Sequence, residues 1–132
     1  MSLVVSHIGA GRMLELILAS ELMLRLYAND CTPTVMDEPE DLVELKGRFG
    51  YRPKNLEALL WTIFEGDESN PTYAAYPKQI FDFAGRVDPI FGYFIEAADG
   101  VVMWAERFID GPYELKKGGR IGVTPRFEIR AQ

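Results

Sequence analysis

Only one cysteine, Cys31, and one histidine, His7, occur among the 132 residues of this chain. A lone cysteine excludes an internal disulfide, and with no Cys or His cluster around it a zinc site of ordinary spacing is excluded as well. A single imidazole leaves any histidine-based acid–base mechanism to His7, and no Ser-His-Asp spacing accompanies it. No apolar run approaches the roughly 20 residues that cross a bilayer, and Met1 to Ile8 lacks the basic opening of a signal peptide. The expectation is a soluble protein made in a reducing cytoplasm. Positive charge is also in short supply. Against 20 Asp and Glu stand 14 Lys and Arg, for a net charge of -6, which opposes a simple electrostatic surface for a phosphate backbone. Neither nucleic acid nor a membrane is an expected partner.

What the chain does have is apolar bulk. Hydrophobic residues make up 48%, with 8 Phe, 6 Tyr and 2 Trp. Such a core offsets an ordering entropy of about 1–2 kcal/mol per backbone residue without help from a metal or disulfide. The length suits one domain over residues 1–132. An apolar extended arm is expected over 1–11, containing Leu3, Val4 and Val5. A helix follows over 12–22, where Leu, Met, Ala and Glu lose little rotamer freedom. Residues 23–132 read as a β-rich body with long loops at 29–54 and 65–77, the first marked by Pro33, Pro39, Pro53, Gly47 and Gly50.

Within that body, Leu22 to Tyr27 and Lys78 to Ala84 read as strands. Leu56 to Phe64 fits a strand or a helical turn, because a short apolar run does not fix the period. Phe91 to Ala97 and Val101 to Phe108 flank Ala98-Asp99-Gly100, where Asp-Gly supplies the positive φ of a tight hairpin turn. The two runs should pair antiparallel. From Ile121 to Arg130 apolar and polar residues alternate strictly, the pattern of a strand with one buried face. Pro125 cannot donate to a ladder and places this strand at an edge or bulge. Short strands without intervening helices predict a mainly β fold, an antiparallel β-sandwich or jelly-roll-like domain with an N-terminal arm and one helix.

The most conspicuous motif is Gly9-Ala10-Gly11 after Leu3 to Val5, with Asn29-Asp30 downstream, an order that imitates the opening of a dinucleotide-binding unit. Leu14 stands where that fingerprint needs Gly or Ala, and the two glycines read as a bend into a helix start. Glu65, Asp67, Glu68 and Asn70 lack the spacing of a calcium loop and read as a solvated acidic loop, as do the acids from Asp37 to Glu44. Glu106, sharing a strand face with Trp104 and Phe108, is expected to pair with a cation or sit at the sheet margin, since an unpaired buried carboxylate costs several kcal/mol. The aromatics Phe81, Phe83, Phe91, Tyr93 and Phe94 read as core. Tyr73 and Tyr76, flanked by Pro71 and Pro77 in an expected connection, read as partner contacts. No catalytic, cofactor-binding or metal-ligating residue is assigned. The interface candidates are Leu3, Val4, Val5, Ile8, Tyr73, Tyr76 and Pro125.

Taken together, the apolar arm and helix, Leu24-Arg25-Leu26-Tyr27, Gly92-Tyr93-Phe94, Trp104-Ala105-Glu106-Arg107-Phe108 and the late Gly118-Gly119-x-Ile121-x-Val123-Thr124-Pro125-x-Phe127 run are similar to a family of small virion structural proteins of tailed bacteriophages. The resemblance covers most of the chain. Such sequences open with Val-Val-Pro-Asn, whereas this one has Val4-Val5-Ser6-His7. The resemblance implies a non-enzymatic virion component without a cofactor, made in the host cytoplasm and bound to other virion proteins. Capsid decoration (cement) on the major capsid protein is the expected role. A tail or tail-fibre subunit joined to tail proteins, or a host-surface or glycan-binding module using Tyr73, Tyr76 and Trp61, is the alternative. Homo-oligomerisation is expected from the symmetry of such lattices.

Overall fold

In the structure, a computed structural model, residues 4–34 and 41–129 are described. Leu3, and the acids Asp37, Glu38 and Glu40, lie outside the described residues. Among the described residues the order of elements is one helix, α1 (His7–Leu18), then nine strands: β1 (Leu22–Tyr27), β2 (Lys54–Leu56), β3 (Thr62–Phe64), β4 (Thr72–Ala75), β5 (Gln79–Phe83), β6 (Gly92–Ala97), β7 (Val102–Arg107), β8 (Gly119–Val123) and β9 (Arg126–Ile129). A 3₁₀ turn, Ala58–Leu60, separates β2 from β3. The fold is mainly β with antiparallel sheets and one helix, and it divides into two compact units.

The larger unit comprises Leu22–Asn55 and Ile80–Gly122. Its main sheet has the order β2-β1-β6-β7. Leu22, Leu24 and Leu26 alternate into the core on β1, and β6, flanked on both sides, buries Tyr93, Phe94 and Ile95 in succession. Leu24 pairs with Ile95 and Leu26 with Tyr93 across the antiparallel ladder. The expected hairpin is present: β6 and β7 pair antiparallel, and Gly100 turns the corner at φ 89°. At Gly92, opposite Tyr27, a Cβ would lie 2.2 Å from the Glu106 carbonyl and 2.5 Å from the Tyr27 ring, so the close approach of the chains requires glycine. Strands β5 and β8 form a separate two-stranded sheet.

The smaller unit draws on Met1–Glu21, Leu56–Gln79 and Val123–Gln132. Its sheet, β3-β4-β9, is antiparallel throughout. The inner face carries Thr72 and Ala74, both buried, and α1 packs on the three strands with Ala10, Leu14 and Leu18 turned inward. Those three positions recur at the spacing of one helical face.

Three expectations need correction. The helix spans His7–Leu18 rather than 12–22, and it runs through Gly9 and Gly11 instead of beginning after them. Ser6 is the reason: its hydroxyl caps the helix by accepting the Gly9 amide at 3.0 Å. Packing of Ala10, Leu14 and Leu18 outweighs the cost of about 1 kcal/mol that each interior glycine imposes. The extended arm over 1–11 is thus confined, among the described residues, to Val4, Val5 and Ser6. The loop expected at 65–77 contains strand β4. Finally, the alternating run from Ile121 is not one strand. It breaks at Thr124-Pro125 into β8 and β9, which belong to different sheets. Burial still alternates through Ile121, Val123 and Pro125, because side-chain direction follows the extended backbone even where the ladder partner changes.

Candidate interaction surface

The helix that seats Leu14 on the sheet turns an apolar back to solvent. Ile8 is 67% exposed, Leu16 76%, and Val4 just ahead of the helix 80%. A helix packed on a sheet ordinarily directs charge outward, but here the outward charges are only Arg12 and Glu15. The 3₁₀ turn continues the theme, with Leu59 97% exposed. Between α1 and this turn lies a groove of about 320 Å³ lined by Glu15, Leu18, Ala19, Ala58, Trp61 and Ile63.

On the outer face of the same sheet, Phe64 stacks on Tyr73 with ring centroids 4.8 Å apart. The Arg126 guanidinium also lies over the Tyr73 ring, 3.7 Å from its centroid, and reaches Glu128 at 3.3 Å. The register explains this row: Phe64 is opposite Tyr73, and Tyr73 is opposite Glu128. Tyr73 is thus half-buried by its neighbours, and Phe64 is the more accessible ring.

The sequence-derived candidates divide accordingly. Val4, Val5 and Ile8 lie together at the helix start with Val4 and Ile8 exposed, whereas Leu3 falls outside the described residues. Tyr76 is buried: its ring meets Trp61 edge-on at 5.1 Å, and its hydroxyl accepts the Glu57 amide at 2.8 Å. Pro125 is buried too, and its carbonyl accepts the Tyr76 amide at 3.0 Å. Neither residue offers a surface to a partner, because strand β4 carries the Pro71–Pro77 stretch into the sheet. Leu16, Leu59, Phe64 and Arg126 were not singled out in the sequence. Leu59 had a signal, standing in a Leu-Leu-Trp run short of a full helical period.

His7 stands at the first turn of α1, with Nδ1 3.2 Å from the Thr72 hydroxyl. The same hydroxyl accepts the Gly66 amide at 2.9 Å. His7 therefore helps to join the helix start to β4. Asp67 closes its loop by accepting the amides of Ser69 and Asn70 at 2.8 and 2.9 Å. The Ser69 amide and the Asn70 side chain hold its carboxyl below the ordinary carboxylate range.

In the larger unit several polar side chains engage one another. Arg25 Nη1 donates to both Glu44 oxygens at 3.0 Å, and its Nε lies 3.3 Å from Glu96. Tyr51 donates to Glu44 at 2.7 Å and accepts the Leu26 amide at 3.1 Å. Burial opposes the Arg25 charge, but the Glu44 hydrogen bond and the two carboxylates raise its pKa. Burial likewise raises the Tyr51 phenol. Glu44 is thus part of a linking network and not the solvated loop acid the sequence suggested. Asn29, part of the order that imitates a dinucleotide-binding unit, instead clamps the backbone of Asp41 and Val43 at 2.7 and 2.8 Å, and Asp30 pairs with Arg107 at 2.6 Å. Glu106 is exposed and accepts the Tyr93 hydroxyl at 2.9 Å, the margin position expected for it. Burial pushes the Tyr27 phenol up to about 12, and its hydroxyl donates to the Cys31 carbonyl at 3.0 Å.

The two early glycines lie inside α1, and β1 after them pairs antiparallel with β6, so the strand–turn–helix geometry that cradles a pyrophosphate does not form. Among the described residues no group of three or more His, Cys, Asp or Glu side chains converges, and no helix is long and apolar enough to cross a membrane. No family model, no curated protein and no solved structure matches this chain.

Proposed function

We propose that this chain is a non-enzymatic structural protein of a tailed-bacteriophage virion, a capsid decoration protein that binds the major capsid protein and assembles as a homo-oligomer. It is made in the host cytoplasm and carried on the particle, with no cofactor. The observation that carries the reading is the apolar exterior of the smaller unit, where Val4, Ile8, Leu16 and Leu59 are all largely exposed. Large apolar side chains of one unit left open to solvent mark a protein contact, and a repetitive lattice multiplies a modest contact into avidity. The acidic balance of the chain supports a protein lattice over the packaged nucleic acid as its partner. With this reading goes a sandwich or jelly-roll arrangement for the antiparallel sheets, to be tested by an experimental structure.

The test is immunogold electron microscopy with an antibody to this chain, applied to virions from a culture carrying its gene. Gold over the capsid is the expected result. Gold confined to the tail moves the role to a tail or tail-fibre subunit, and virions without gold overturn the reading. A glycan-binding role draws on one observation, the accessible Phe64 beside Tyr73 with Arg126 and Glu128 as hydrogen-bonding neighbours. A glycan array on which Phe64→Ala abolishes a signal given by the parent chain would favour that reading.

A further inference from the structure

Along the outward side of α1, Ile8, Arg12, Glu15 and Ala19 follow one another at intervals of four, three and four residues. That spacing forms a single row down the helix to its C-cap. The row reads large apolar, positive, negative, small apolar. Reversed and laid against itself it matches: Ile8 falls on Ala19, and Arg12 falls on Glu15. Among the described residues neither Arg12 nor Glu15 takes part in an ion pair. The groove lined by Glu15, Leu18, Ala19, Ala58, Trp61 and Ile63 opens along the Glu15–Ala19 end of this row.

We infer that α1 is a two-fold interface between copies of this chain: the helices run antiparallel, and Ile8 of each copy enters the other copy's groove beside Ala19. A two-fold contact is isologous, so one self-complementary patch is enough. Antiparallel packing also sets opposite helix ends side by side. Leu16 is exposed next to the row, and Leu59 and Leu60 adjoin groove-lining Ala58 and Trp61 in the chain. With Ile8, these side chains expose on the order of 500 Å² per copy, so the pair with its polar rim reaches the roughly 1,200 Å² at which stable interfaces begin. Val4 and the last residue of β9 belong to the opposite end of the helix from the groove. Val4 precedes the helix start, and Thr72, which bonds His7, pairs with Ile129.

This inference deepens the assembly reading by naming a second copy as one partner. It is tested on the isolated full chain, so a failure here does not bear on where gold lies on the virion. The experiment is sedimentation equilibrium of the parent chain, of Arg12→Glu, of Glu15→Arg, and of an equimolar mixture of the two variants, with circular dichroism confirming that each stays folded. Both substitutions are at exposed positions. The parent should be a dimer of its 14.9 kDa chain. Each variant alone sets like charges opposite each other at both ends of the two-fold and should dissociate at least about tenfold more readily. The mixture should regain the parent's affinity to within about threefold. In the heterodimer the carboxylate introduced at position 12 of one copy meets the guanidinium introduced at position 15 of the other, and the unchanged Glu15 meets the unchanged Arg12. An effect confined to one helix would not be repaired by mixing. A parent that stays monomeric up to about 0.5 mM, a dimer indifferent to both variants, or a mixture no tighter than its components would each overturn the inference.

Discussion

The two units treat their polar and apolar residues in opposite ways. In the larger one, charge is shared between side chains: Arg25 joins Glu44, Glu96 and Tyr51 in a part-buried group, while Arg107 joins Asp30 and Arg120 joins Asp82 nearer the surface. Its exposed apolar residues are distributed over separate loops and the β6–β7 hairpin, as at Val43, Ile109 and Val101. The smaller unit has a helix with one buried face and an apolar back, an exposed leucine turn beside it, and an aromatic row on the far face of its sheet. One body satisfies itself, and the other leaves attractive surface unused. On this contrast the proposed contacts fall to the smaller unit, with the larger one as scaffold.

The contrast breaks most readily at its scaffold. Gly92→Ala forces a Cβ against backbone and the Tyr27 ring, and should cost at least about 3 kcal/mol in urea unfolding. A loss below about 1 kcal/mol would mean that β1, β6 and β7 are less tightly fixed than described. A sharper comparison lies within α1. Leu14, fully buried, and Leu16, mostly exposed, are two residues apart on one helix. Leu14→Ala should cost about 2–5 kcal/mol, whereas Leu16→Ala should stay within about 0.5 kcal/mol. Equal losses in thermal unfolding of dilute protein would show that the back of the helix is held by the chain itself, which would leave it unable to serve a partner.

These pairs also show what was legible in the sequence. The β6–β7 hairpin was, because Asp99-Gly100 and two apolar runs state both the turn and the antiparallel pairing, although not the register shift between Ile95 and Glu96. The apolar character of α1 was, but its orientation was not: a stripe containing Met13, Leu14, Leu16, Ile17 and Leu18 does not say which side faces the sheet. That depends on β3, β4 and β9, which come from distant parts of the chain. Glycines at 9 and 11 argued against helix by propensity, and Ser6 with tertiary packing overrode them. Tyr76 and Pro125 were misplaced for the same reason. Each looks like loop punctuation locally, yet the hydrogen bond between their backbones joins segments about fifty residues apart in sequence, beyond the reach of local turn chemistry.

Smaller effects sharpen the contrast through charge. Glu44→Gln removes the carboxylate that Arg25 and Tyr51 share. Because Arg25 and Glu44 keep part of their side chains in water, screening limits the loss to about 1–2 kcal/mol in urea unfolding. No change would make the network ornamental and weaken the scaffold assignment. The units should also answer to opposite ends of the pH scale. Tyr27, with its phenol raised to about 12 by burial, binds its proton more tightly folded than unfolded. Its contribution is therefore complete below its ordinary value near 10 and lost as pH rises through about 12. Asp67 has the reverse sign: its carboxyl is lowered, so the ordering of its loop persists above the ordinary carboxylate value and fades as pH falls through the lower folded one. Amide resonances of Ser69 and Asn70 should shift with that acidic step and remain still in Asp67→Asn, while the Tyr27 ring should respond only in alkali. Were both sets to move in the same pH range, the signals would report one global unfolding event, and the division of labour between scaffold and contact unit would have no counterpart in solution.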